Sequence, residues 1–148
     1  MNKARGKIRD YETQTKNFKN MKLKIFQVTN AVPQLIALNQ VKGFNAKIAY
    51  NISKTFKSIV EEAQAYEKVR IAKLEELCEK NAKGEAKKEK DGSYKLSDEN
   101  KKIFQDEIRV LAEQEVEIYC TPISISEISH ITGLSSDVFA VLDWLFVE

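Results

Sequence analysis

One histidine, two cysteines, two prolines and five glycines are all that 148 residues hold of these types, and each scarcity excludes something. His130 has no second histidine and no HExxH helix around it, so the several converging ligands a zinc site needs are missing. The five glycines are scattered and build neither a P-loop nor a dinucleotide fingerprint, and no serine sits in a GxSxG elbow. Cys78 and Cys120 are far apart in different expected elements, which points to small buried hydrophobes rather than a disulfide. No apolar run approaches the ~18 to 20 residues that span a bilayer. The opening "MNKARGKIRDYETQTKNFKN" has no apolar core of a signal peptide. A cytosolic protein, or one assembled there, is expected.

What is present is a helix-rich composition, 43% hydrophobic and 31% charged, in a chain long enough for one core. The net charge of +2 is unevenly spread. Residues 1–25 carry eight basic residues (Lys3, Arg5, Lys7, Arg9, Lys16, Lys19, Lys22, Lys24) against Asp10 and Glu12, or +6, which leaves −4 for the rest. Residues 1–20 are therefore read as a basic N-terminal arm or extension before a single helix-rich domain, 21–148. Lys3, Arg5, Lys7, Arg9, Lys16 and Lys19 are its candidate electrostatic contacts. Nucleic acid is the less favoured partner, because Tyr11 and Phe18 give no interleaved stacking pattern. A solvated arm, or one docked on an acidic protein surface, is the plainer reading.

"KLKIFQVT" is short, branched and aromatic, which predicts a strand near residues 22–28. Thr29 or Asn30 then caps a short helix with Pro33 in its first turn and Gly43 as its stop. From Asn45 an apolar stripe (Ile48, Ile52, Phe56, Ile59, Ala63, Tyr66, Val69, Leu74, Leu77) predicts one long helix over about 46–82. The polar stretch "NAKGEAKKEKDGSYKL" reads as a mobile connector. Ser97 then caps a second helix whose apolar side is Ile103, Phe104, Ile108 and Leu111, turned back antiparallel on the first. In "EVEIYC" the alternation puts Val116, Ile118 and Cys120 on a dry face and Glu115, Glu117 and Tyr119 on a wet one, so the two carboxylates need no active site to explain them. Ser124 and Glu127 have capping-box spacing for a brief helix ended by Gly133. A C-terminal helix follows, with Phe139, Leu142, Trp144, Leu145 and Phe146 as a candidate apolar docking face. The fold class is α+β, mainly α: a long antiparallel helical hairpin, short N-terminal and C-terminal helices, and a small two-stranded sheet pairing 22–28 with 115–120.

The order of "KDGSYKL", "NKKIFQDEIRVLAEQEVEI", "ISISEI" and "LSSDVFAVLDWLFVE" resembles an uncharacterised family of small proteins of tailed bacteriophages. "AKIAYNISKTFKSIVEEAQAYEKVRIAKLEE" resembles that family's central helix, so the likeness runs over about residues 21–148. Gly92 and Tyr94 match its inter-helix turn, Glu115 to Ile118 its helix-to-strand junction, and Leu142 to Glu148 its apolar-then-acidic end. None of these is a known functional residue, and the basic segment before Met21 departs from the pattern. The resemblance implies genes placed among those for tail and virion components, and no assigned activity. The expectation is a non-enzymatic accessory or structural protein in virion assembly, without cofactor, metal or membrane. It would act in the host cytoplasm or within the virion, on phage structural or assembly proteins or on copies of itself. The alternative is a phage-encoded binder that inhibits a host enzyme or defence factor, with nucleic-acid contact through the basic arm. No catalytic residue is expected on either reading.

Overall fold

In the computed structural model, which describes residues 19–148, strand β1 (Lys19–Lys24) lies antiparallel to β2 (Glu115–Cys120), Lys19 opposite Cys120 and Lys24 opposite Glu115. The pairing of these two chain segments is as the sequence suggests, but the first strand sits earlier. "IFQV" is the opening turn of α1 (Ile25–Gln40), not strand. Two bonds make the switch: the Lys24 N–H donates to Gln27 Oε1 at 2.9 Å, and the Ile25 N–H donates to the Gln114 carbonyl at 3.0 Å. Ile25, Val28, Ala31, Leu35 and Leu38 then form a buried stripe at helical spacing, which outweighs the local strand preference of branched residues. Pro33 consequently falls inside a 16-residue helix rather than in its first turn. It lies on the exposed side, where water can reach the Thr29 carbonyl that its missing N–H leaves unpaired.

Helix α2 (Ala46–Leu77) runs for 32 residues, ~48 Å at ~1.5 Å per residue. Asn45 caps it, its Oδ1 accepting from the Ile48 N–H at 2.9 Å. The expected extension to 82 is cut at Leu77, where Cys78 turns to extended backbone. Helix α3 (Asp98–Ala112) starts on Ser97, whose Oγ accepts from the Asn100 N–H at 3.1 Å. Asn100 Nδ2 donates to the Leu77 carbonyl, Lys73 reaches Glu107, and the Tyr119 N–H donates to Ser58 Oγ. Contacts thus step back along α2 as the later chain advances.

The connector between them is not irregular chain. Glu79, Lys87 and Lys95 are tied backbone to backbone, each pair by one N–H to carbonyl bond of 2.8–3.0 Å. Between them stand two tight turns eight residues apart, with Gly84 at φ +78° and Gly92 at φ +85°, where a side chain would be strained. Asn81 Oδ1 accepts from the Lys83 and Glu85 N–H groups and Asp91 Oδ1 from the Ser93 N–H, closing each turn locally.

After β2, strand β3 (Ile123–Ser124) leads into a 3₁₀ turn, Ile125–Ile128. Ser124 bonds Ser126 side chain to side chain and does not cap, so no capping box forms there. The C-terminal segment also departs from one continuous helix. Helix α4 is only Ser136–Val141, capped by Ser135, and it is followed by a 3₁₀ turn, Asp143–Leu145. Strand β4 (Phe146–Val147) then pairs in parallel with β3. Val138, Leu142 and Leu145, four and three residues apart on one side of this segment, are all buried.

The core lies where α1, the first half of α2, the sheet and the C-terminal segment meet. Its members include Leu35, Leu38, Ile52, Ile59, Ile118, Leu142 and Leu145, each at most 1% exposed. The buried positions of α2 are Ile48, Ile52, Thr55 and Ile59, and α3 has none. The molecule therefore divides into a packed head and an arm of two helices. Ile59→Ala is expected to cost about 2–5 kcal/mol in denaturant unfolding through lost burial and a residual cavity. Val110→Ala, 69% exposed on the arm, is expected to change stability by less than about 0.5 kcal/mol.

Candidate functional site

The residue types that could do chemistry are kept apart. Among the described residues no three of His, Cys, Asp and Glu converge as metal ligands. Both cysteines are free and buried, as expected of small hydrophobes. Cys78 donates to the Glu75 carbonyl from the end of α2. Cys120 is fully enclosed at the end of β2, and burial pushes its thiol up to about 11, with the hydroxyl of Thr55 offsetting part of that shift. His130 is exposed and its Nε2 lies 3.4 Å from the Gly43 carbonyl. Gly43 itself needs to be glycine: its φ is +104°, and a Cβ would stand 3.1 Å from Ile131 Cδ1.

Two open clefts lie among the described residues at the ends of α2. One of about 240 Å³ sits at the α1–α2 connection between Leu38, Val41, Gly43, Phe44 and Ile52. The other, about 310 Å³, lies where the connector meets α3, lined by Leu74, Tyr94, Leu96, Lys101, Phe104 and Gln105. In the second, Tyr94 donates to Glu75 Oε1 at 3.1 Å, and that bond raises the phenol pKa. Neither cleft brings together a nucleophile and a base or a pair of carboxylates in contrasting environments.

The arm is the more informative surface. Beyond Ile59, α2 continues for another 18 residues, ~27 Å. Over that length Ala63, Tyr66, Leu74 and Leu77 are half-buried, as are Phe104, Ile108 and Leu111 of α3. Val69, Ile71, Ile103 and Val110 remain 53%, 37%, 39% and 69% exposed. Two helices can cover only one side of each other's stripe, so the arm keeps apolar side chains in water that a third layer would bury. Ion pairs lace it: Arg70 with Glu67, Lys73 with both Glu76 and Glu107, and Arg109 with Asp106. At its far end the tandem turns carry Lys80, Lys83, Lys87, Lys88, Lys90 and Lys95 against four acidic residues, +2 in all.

Of the contact residues expected from sequence, Lys3, Arg5, Lys7, Arg9 and Lys16 lie outside the described residues. Lys19 opens β1 opposite Cys120. In the C-terminal group, Leu142 and Leu145 are fully buried in this chain's own core, so they offer nothing to a partner. Phe139 and Phe146 stack 4.8 Å apart against that core, and Trp144 is also half-buried there. Gly84 and Asp91-Gly92 are turn signals legible in the sequence, but the backbone pairing of Glu79, Lys87 and Lys95 that orders the two turns in tandem, in place of the expected mobile connector, is not.

Cys120 gives a direct check. A thiol reagent at pH 8 should modify neither cysteine of the folded protein and both after denaturation. The thiol's ordinary value is 9.0 and its folded value about 11, so its neutral form is favoured by folding. This contribution is intact below pH 9 and lost as pH rises from 9 towards 11. The urea midpoint should fall over that window, and fall less steeply in Cys120→Ala. Comparison of the chain with protein-family profiles, with curated protein sequences and with solved structures finds no match.

Proposed function

We propose that this chain is a non-enzymatic accessory or structural protein that works by docking its two-helix arm on another protein, within the assembly of a phage virion. The arm is read as the long antiparallel hairpin of the sequence analysis, held at one end by the head and free at the other. The observation that carries the proposal is the exposure of Val69, Ile103 and Val110 on helices otherwise laced with ion pairs. Such side chains gain from burial under a partner helix, the mode in which an amphipathic surface recognises i, i+3, i+4 and i+7 anchors. The phage context rests on the resemblance over residues 21–148 alone.

The test is mass spectrometry of virions purified from an infection that expresses the chain, with Val69→Ser/Val110→Ser as the comparison. The proposal expects the wild-type chain at a defined copy number and the variant, folded by circular dichroism, strongly depleted. Absence of the wild-type chain from virions and from assembly intermediates would sink it. The lysine-rich tandem turns favour a second reading, a host-directed binder with nucleic-acid contact. That reading expects a salt-dependent gel shift weakened by Lys87→Glu/Lys88→Glu, and equal mobility with and without protein counts against it.

A further inference from the structure

Residues seven apart return to nearly the same side of a helix. On α2 this aligns Glu62, Val69 and Glu76, and on α3 it aligns Ile103 with Val110, flanked by Glu99 and Asp106. Lys73, one turn after Val69, reaches Glu107 at 3.0 Å across the two helices, so both lines face the same flank of the arm. The flank is an apolar strip with an acidic border. Glu62, Glu76, Glu99, Asp106, Glu107 and Glu113 stand there against Lys73, Lys102, Arg109 and Lys24, six minus four, or −2. Among the described residues Glu62 and Glu99 have no cationic partner. A second copy presenting the same flank about a two-fold axis would set acid against acid. The border selects a basic occupant with apolar side chains.

Such a segment belongs to the chain itself. Residues 1–18 hold Lys3, Arg5, Lys7, Arg9 and Lys16 against Asp10 and Glu12, five minus two, or +3, together with Ile8, Tyr11 and Phe18. They join the fold at Lys19, paired with Cys120, and the neighbouring Tyr119 N–H donates to Ser58 Oγ at 2.9 Å. Ser58 precedes Glu62 by one turn of α2, ~6 Å, and Val69 by ~16 Å. Eighteen residues span at most ~60 Å extended and ~27 Å even if wholly helical, so the flank is within reach in either form. We infer that residues 1–18 dock in cis on the acidic-bordered apolar flank formed by Val69, Ile103 and Val110. The segment and any other protein that uses this flank then exclude each other, which makes the N-terminus a built-in competitor. The inference does not depend on who that other protein is.

Zero-length carbodiimide crosslinking of the full chain, alone and dilute, as an equal mixture of isotopically light and heavy protein, tests it. The expected product is a monomer in which Lys3, Lys7 or Lys16 is joined to Glu62, Glu99 or Asp106 within one isotopic form. It should disappear in about 1 M salt, where the Debye length falls to ~3 Å. Crosslinks that join light to heavy chains would overturn docking in cis in favour of a second copy. Crosslinks from those lysines to head residues such as Glu127, Asp137 and Asp143, or none at all, would overturn the site. Because no partner is present, these outcomes leave the virion reading to its own test.

Discussion

Everything in this molecule hangs on four positions of one helix. Ile48, Ile52 and Ile59 of α2 share one buried cluster with Leu35 and Leu38 of α1, Ile118 and Cys120 of β2, and Leu142 and Leu145, and the buried Thr55 of the same stripe meets Cys120. The stripe joins α2 to α1 and to β2, and α1 in turn meets β1 and the C-terminal helix. The second half of α2 inherits direction and stiffness from the first without inheriting a core. A helix clamped over four turns and left to run on is how a small protein can present a long surface at a fixed angle. Residual exposure of Val69 and Val110 follows from that geometry.

How far this was legible in the sequence varies with the kind of signal. Asn45 and Ser97 were readable as caps, because each pairs a short polar side chain with a periodic run behind it. The alternation in "EVEIYC" was equally clear, and Ile118 and Cys120 are indeed the buried side of β2. The start of α1 was not. "IFQVT" satisfies a strand preference locally, and only the Gln114 carbonyl and the Gln27 side chain, seen in three dimensions, turn it into a helix. The C-terminal run failed for a similar reason. Its apolar density suggested a helix with a face to offer, whereas helical geometry ends at Leu142, φ −104° and ψ 30°, and Leu142 and Leu145 are buried in this chain's own core.

The candidate site was legible only as a pair of charges. Sequence asymmetry divided a basic beginning from an acidic remainder, but not where on the remainder the acid would collect. That required knowing which flank of α2 and which flank of α3 come together, which the Lys73 to Glu107 contact decides. The tandem turns at the far end complete the arm with the opposite sign. One surface thus carries an apolar strip, an acidic border and a basic tip, a combination suited to discriminating between partners by charge and holding them by burial. The reactive groups tell the opposite story, since Cys120 is enclosed and its thiol held neutral.

Hydrogen exchange measures, residue by residue, the division into a head with a core and an arm without one. Amides of residues 52–59 and 118–120 should exchange only through global unfolding, with a steep dependence on denaturant. Those of residues 66–77 and 98–112 should exchange orders of magnitude faster, through local opening with little such dependence. Uniform protection along the whole of α2 and α3, with one shared denaturant slope, would contradict it.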